Sequence, residues 1–347
     1  MYVFVYEFVT GGGMWSLGEK PAGPLLAEGR AMSSALCEDF AALGVDVLAL
    51  GDCRLCSPVV KGAVCIESAD DERQALATLA ARADWTIIIA PESNNALVQR
   101  CDWVLQTGGR LLSPGLATVR LSSDKQVTAE HLIQRGIRVP PGMPLNFEPP
   151  LDQLNPAWFP AVIKPLDGCG SQGLRRIDRS AQLACFGPTN NVRLERFVPG
   201  LPASVAVLCG PSGLVPLRAC EQVLSSDGRF TYLGGRTPLA EPLDQRARRL
   251  AMRAVSTLPD AFGYIGVDLV LGDDATGQDD HVIEINPRLT TSYVGLRAIC
   301  RDNLAAAMLS VAEGREPALT WHTGAVEFSA DGKVRHLDRT ATARNDR

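Results

Sequence analysis

The chain has 347 residues, of which 46% are hydrophobic and 21% charged. Those values suit a globular protein of about two domains and exclude a disordered chain. Its 34 basic and 39 acidic residues leave a net charge of −5, which argues against broad electrostatic capture of nucleic acid. No apolar run approaches the ~20 residues of a membrane span, so no membrane partner is expected. Met1 to Phe8 lacks a basic lead and contains Glu7, unlike a secretory signal. Without an export signal, ten scattered cysteines read as reduced thiols of a cytoplasmic protein.

Tyr2 to Phe8 is rich in β-branched and aromatic residues and predicts a buried first strand, broken by Gly11-Gly12-Gly13. Met32, Leu36, Phe40 and Leu43 recur at helical spacing, and Gly44 ends that helix before a strand over Val45 to Leu50. A helix over Asp71 to Arg82, a strand over Trp85 to Ala90, a helix over Asn95 to Gln106 and a short strand over Arg110 to Leu112 continue the alternation. This predicts an α/β domain over residues 1–120 with an open, parallel, Rossmann-like sheet. Such sheets bind ligands beyond their strands' carboxyl ends, where Gly11 to Gly13 and Pro91 to Asn94 fall.

Ser122 to Arg135 predicts one helix, capped by Ser122 or Ser123. The prolines between Val139 and Pro156 mark a joint. Beyond it, strands near Ala161, Val192, Ser204, Val215 and Tyr264 and helices over Asp244 to Leu258 and Asn303 to Ala312 predict α+β lobes with antiparallel sheets. Their expected spans are 121–200 and 201–337, and 338–347 reads as a frayed tail.

Tyr264 to Leu271 and His281 to Asn286 flank an acidic turn. Ile265, Val267, Leu269 and Leu271 share one face of the first strand, with Asp268 on the other. In the second, Ile283 and Ile285 share a face opposite Glu284 and Asn286. A hairpin centred on Thr276 would set Asp268 opposite Glu284, which is consistent with the pattern, although a turn of this length leaves the register open. Two carboxylates and an amide oxygen on one face make a hard-oxygen site suited to Mg²⁺; the plainer alternative is a solvated hairpin face.

Pro160 to Pro165 is an apolar strand carrying Lys164, followed by Asp167-Gly-Cys-Gly-Ser-Gln-Gly173. Gly168, Gly170, Ser171 and Gly173 could cradle a phosphate on backbone amides, with Lys164 adding charge; a flexible turn is the alternative. Lys125 near a helix start reads by itself as a solvated surface lysine. Arg193 to Gly200 is a strand breaking at Pro199-Gly200, by itself a plain edge strand, although backbone groups at its end could meet an adenine edge.

In this order the four segments resemble the ATP-grasp superfamily of carboxylate–amine ligases, from about Ser122 to Arg301. The resemblance implies nucleotide contacts from Lys125 and Lys164, a loop over the phosphates at 167–173, and an adenine-side hinge at Glu195, Arg196 and Val198. It implies Asp268, Glu284 and Asn286 as ligands of Mg²⁺ or Mn²⁺, and Arg288 with Lys164 as catalytic groups acting on ATP. The acid that often holds the ribose is missing from Leu201-Pro-Ala-Ser204.

Tyr6 to Gly13, Leu26 to Met32, Ala90 to Asn94 and Pro287 to Ser292 further resemble the tyramine–glutamate ligase group of methanofuran biosynthesis. That likeness implies coupling of a glutamate side-chain carboxylate to an aromatic amine by a homodimeric enzyme. It also implies Glu7, Gly12, Glu92, Thr290 and Ser292 on the substrate side, although Glu7 and Glu92 read equally as capping or loop carboxylates. The alternatives are a ligase for another amino acid or peptide and a non-catalytic ATP-binding regulator. Arg218 and Arg236 read as substrate clamps or surface residues. Cys53-Arg-Leu-Cys56, with Cys65 nearby, has a metal or redox spacing, but no second pair completes a zinc site, and neither metal nor disulfide is expected.

Overall fold

A computed structural model describes residues 1–145, 154–168, 173–185 and 191–337; Gly170, Ser171 and the expected tail lie outside them. The chain starts with β1 (Tyr2–Glu7), α1 (Gly23–Ala42), β2 (Asp46–Asp52), β3 (Val64–Ile66), α2 (Ala69–Arg82), β4 (Trp85–Ile89) and α3 (Ala96–Gln106). The four strands form a parallel sheet in the order β3-β2-β1-β4. Alternation along β1 divides its side chains between two cores: Val3 and Val5 pack with α1, and Phe4 and Tyr6 face Leu76 and Leu97 of α2 and α3. The strand expected at Arg110 to Leu112 is only a bridge between Thr86 and Leu111.

The expectation that Cys53 and Cys65 are reduced is overturned. They form a disulfide with Cα atoms 5.4 Å apart, while Cys56 is a free, exposed thiol. The parallel register of β2 with β3 sets Gly51 beside Cys65 and Asp52 beside Ile66, which carries Cys53 to its partner. This is a contact between neighbouring strands, to which CxxC spacing is blind.

The helix expected over Ser122 to Arg135 is α5 (Lys125–Gln134), which starts three residues later and follows a short helix that the sequence reading did not predict, α4 (Leu116–Ser122). The backbone turns extended at Asp124, whose carboxylate accepts hydrogen bonds from the amides of Gln126 at 2.8 Å and Val127 at 2.9 Å. Asp124 is therefore the cap, rather than either serine. A small lobe follows: β5 (Gly142–Leu145), β6 (Ala161–Pro165), β7 (Arg175–Ile177) and β8 (Val192–Arg196), antiparallel in the order β5-β8-β6-β7.

The large lobe contains β9 (Leu201–Gly210), β10 (Gly213–Pro216), β11 (Cys220–Leu224), β12 (Tyr232–Thr237), α6 (Glu241–Val255), β13 (Gly263–Leu271), β14 (His281–Asn286), α7 (Ser292–Ile299), α8 (Leu304–Ala312), β15 (Ala325–Ser329) and β16 (Val334–Leu337). Its eight described strands make one antiparallel sheet in the order β14-β13-β9-β11-β12-β15-β16, with β10 beside β9. One face packs Val205, Val207, Ile265 and Val267 against Ala247 and Ala251 of α6. The other face, with α7 and α8, shares a continuous core with α1 and the parallel sheet.

Asp268 pairs with Glu284 in the observed register. A bulge then brings Val282, not Ile283, opposite Leu269. The expected face of Ile283 and Ile285 is thus corrected: Val282 and Ile285 enter the core, and Ile283 turns to the cavity beyond it. Among the described residues no helix is long and apolar enough to cross a membrane.

Candidate active site

A cavity of 380 Å³ opens between the small and large sheets, within the usual range for ligand pockets. Lys164 and Glu195 reach it from β6 and β8, and Asp268, Glu284 and Asn286 from β13 and β14. Lys164 is buried, with Nζ 2.7 Å from a Glu195 carboxylate oxygen. The other Glu195 oxygen accepts from Arg193 Nε at 2.7 Å. Glu195, expected at the adenine hinge, thus sits between two buried cations and fixes the lysine.

Lys125 is also buried, unlike a solvated surface lysine. Its Nζ lies 2.8 Å from Glu284 Oε1 and donates to the Gly168 carbonyl at 2.8 Å. Both features follow from Lys125 opening α5, where its backbone amide donates to the Leu166 carbonyl at 2.9 Å.

Asp268 accepts hydrogen bonds from Gln222 Nε2 at 2.8 Å and Asn286 Nδ2 at 3.0 Å. Burial, and then the charge of Glu284, pushes its carboxyl up to about 7. Burial works in the same direction on Glu284, but the Lys125 and Lys164 ammonium groups prevail and hold it below the usual carboxylate range. Asp268 is therefore a buried acid that two amide donors and the charge of Arg288 only partly compensate. A divalent ion would complete it, so the donor set fits a hard cation. Among the described residues no group of three or more His, Cys, Asp or Glu is placed to hold a metal. Two carboxylates and an amide leave room for phosphate and water oxygens, which Mg²⁺ prefers.

Arg196, Phe197 and Val198 line the same cavity. The Phe197 ring stacks on Phe230 with centroids 6.2 Å apart, and the Arg176 guanidinium lies 4.6 Å from the Phe197 centroid. This aromatic wall suits a flat heterocycle. Gly168 and Gly173 adopt φ of 123° and 75°, conformations open to glycine.

On the opposite strand ends, Arg288 binds Glu92 in a bidentate pair, Nε–Oε1 at 2.9 Å and Nη2–Oε2 at 3.2 Å. This pair ties the loop after β4 to the segment after β14. Thr290 and Ser292 line the cavity, their hydroxyls 2.8 Å apart, with Tyr264 OH 3.2 Å from the first. Glu7 instead accepts from the amides of Val9 and Thr10 at 3.1 and 2.7 Å and from the Thr10 hydroxyl at 2.7 Å, behind the cavity wall. Gly12 does not line the cavity: its φ is 100°, and an added Cβ would stand 2.5 Å from Ile66 Cγ2. Arg218 pairs with Glu241 and Asp244 of α6 at 2.9 and 3.0 Å, and Arg236 with Glu327 at 3.4 Å, so both serve as structural ion pairs outside the cavity.

The sequence reading missed Gln222, Phe230, Tyr232 and Glu28, which also line the cavity. The first three lie on or beside β11 and β12, strands it did not predict. The fourth lies on a helix whose cavity-facing side depends on packing.

A parallel-sheet domain followed by two antiparallel lobes that close on such a cavity is the ATP-grasp fold. The model of an ATP-grasp domain matches residues 122–292, and that of a pre ATP-grasp 3 domain matches residues 45–119. A protein from Archaeoglobus fulgidus assigned to the ATP-grasp superfamily superposes with a TM-score of 0.73 at 20% identity, over 97% of this chain and 100% of that one. Biotin carboxylase from Campylobacter jejuni, solved as a β,γ-ATP complex, gives a TM-score of 0.70 at 16% identity, over 94% of this chain and 74% of its own. The tyramine–L-glutamate ligase of Methanocaldococcus fervens is 26% identical over 246 residues, 71% of each chain.

Proposed function

We propose that this protein is an ATP-dependent carboxylate–amine ligase working through an acyl phosphate. Its proposed substrates are the side-chain carboxylate of glutamate and tyramine or a tyrosine-like amine, as in methanofuran-type carrier synthesis. The observation that carries the reading is the convergence of Lys125, Lys164, Asp268, Glu284, Asn286 and Arg288 around the space between two sheets. The glutamate and tyramine assignment, and a homodimeric assembly, rest on likeness to the tyramine–glutamate ligases. In this reading residues 1–120 serve the substrate, 121–200 the nucleotide, and 201–337 the metal and the chemistry.

A carboxylate resists attack by an amine because oxide is a poor leaving group. Transfer of the terminal phosphoryl group of ATP corrects this, and phosphate then leaves as the amine attacks. Lys164, fixed by Glu195, and Lys125 neutralise the phosphates, with the Gly168 and Gly173 backbones flanking them. Arg196 and Val198 present backbone groups to the adenine edge. Arg288, its guanidinium plane set by Glu92, orients the acceptor carboxylate and the transferring group. A divalent ion held by Asp268, Glu284 and Asn286 would spread charge between the β- and γ-phosphates.

The test is ADP release with Mg²⁺-ATP and L-glutamate, with and without tyramine, followed by product mass. ADP that requires both partners, with a product mass equal to their sum less water, is the expected result. ATP binding without ADP release from any carboxylate and amine pair overturns the ligase reading in favour of a regulator.

A further inference from the structure

Glu28 stands on the wall of the same cavity, delivered by α1 from the parallel-sheet domain. Its placement depends on the next residue. Gly29 is buried against the Glu7 carboxylate, where an added Cβ would lie 2.5 Å from Glu7 Cδ. The bare glycine lets α1 settle onto the end of β1, and Glu28 then faces the cavity. Glu7 itself is saturated by the Val9 and Thr10 donors. Glu28 differs: no described residue donates a hydrogen bond to its carboxylate.

Burial lifts the Glu28 carboxyl above its ordinary range, and the charge of Arg288 draws it partly back. Tyr232 on the same wall feels the charges of both Glu28 and Asp268, and the cation that reaches Glu28 is Arg288, whose guanidinium already holds Glu92. A half-buried carboxylate without a donor carries a desolvation cost that a cationic ligand removes. Close to an arginine, it makes a wall with one acceptor for a cation and one donor for an anion. That is the pattern a zwitterion or a primary amine fits.

We propose that Glu28 is a specificity-determining residue that binds the primary ammonium group of the substrate. The inference rests on the ligase reading in taking this cavity as the substrate site. Two sources share that chemistry, the α-ammonium of an amino-acid donor and the amine acceptor, and the test separates them.

The full chain and its Glu28→Gln variant are titrated, with Mg²⁺ and a non-hydrolysable ATP analogue, against the L-amino acids and tyramine. Thermal shift reports binding, and glutarate and 4-ethylphenol serve as partners lacking nitrogen. The expected result is at least one primary-amine ligand bound about tenfold or more weakly by the variant, the scale of one lost charge-assisted hydrogen bond. The nitrogen-free partners should bind both proteins alike. Loss confined to L-glutamate or another amino acid assigns Glu28 to the donor, and loss confined to tyramine assigns it to the acceptor. If no amine in the panel distinguishes the two proteins, the inference is overturned, even if the parent makes ADP from glutamate and tyramine. If the parent makes none but an amine ligand is lost in the variant, the substrate assignment fails and the role of Glu28 stands.

Discussion

Replacing Asp268 by asparagine should destroy the candidate metal site and yet stabilise the protein. Its carboxyl titrates at about 7 in the folded chain against 3.8 in a model residue. The folded state therefore holds a proton that the unfolded state has released, and stability falls as pH rises between the two values. A shift of that size corresponds to about 4 kcal/mol, an upper figure because the cavity-facing carboxylate keeps some water. Asparagine never ionises and escapes this loss. It has one acceptor oxygen for the two amide donors of Gln222 and Asn286, which costs about 1 kcal/mol unless one amide turns over.

The variant should thus match the parent near pH 5 and exceed it at pH 8, the gap opening by at most about 3 kcal/mol. Glu284 does not interfere, because its folded value is depressed: its contribution is present above the unfolded value and is lost only at lower pH. The assay is urea unfolding in chelator across that pH range, followed by fluorescence and circular dichroism together so that coincidence of the two is tested. A gap that does not widen with pH, or a variant less stable at pH 8, would refute the argument.

Glu284→Ala should lower turnover by about a thousandfold, the scale of losing electrostatic stabilisation of a transition state; steady-state rates at an unchanged circular dichroism spectrum check this. Lys164→Ala leaves the buried Glu195 with Arg193 alone, and ATP affinity by calorimetry should fall about tenfold or more. Gly29→Ala, which in an open helix would stabilise by about 1 kcal/mol, should instead lower the melting temperature because the new methyl meets the Glu7 carboxylate. A raised melting temperature would show that Glu7 can move aside.

Local chemistry was legible where it needed only short-range order. Alternation along Tyr264 to Leu271 put Asp268 on the polar face, and a hairpin centred on Thr276 was consistent with Asp268 opposite Glu284, but a turn of that length left the register to the structure. The bulge that turns Ile283 outward is a single inserted residue, and the apolar pattern reads much the same with or without it. Ser122, Ser123 and Asp124 are three good caps in a row, and the choice fell to the one at which Lys125 can bond Leu166. The Cys53–Cys65 bridge, the Glu92–Arg288 pair and the entry of Glu28 arise from packing between elements distant along the chain. Residue spacing carries no trace of them.

The division of the apolar cores bears on how the cavity between the sheets opens. The large sheet and the parallel sheet share one interior, so neither can be displaced without exposing Leu36, Phe40, Tyr293 and their neighbours. The small sheet keeps its own interior; among the described residues this is Leu145, Ala161, Ile163, Ile177, Leu183 and Leu194. Its grip on the remainder includes polar links such as Lys164 to the Ile283 carbonyl, at 3.4 Å, and the Phe197–Phe230 ring stack at the cavity wall. Breathing of this jaw would break those links and that one ring contact, and leave the apolar interior on either side dry. Opening is decoupled from global unfolding, so access to the cleft and endurance of the scaffold can be altered by separate sets of substitutions.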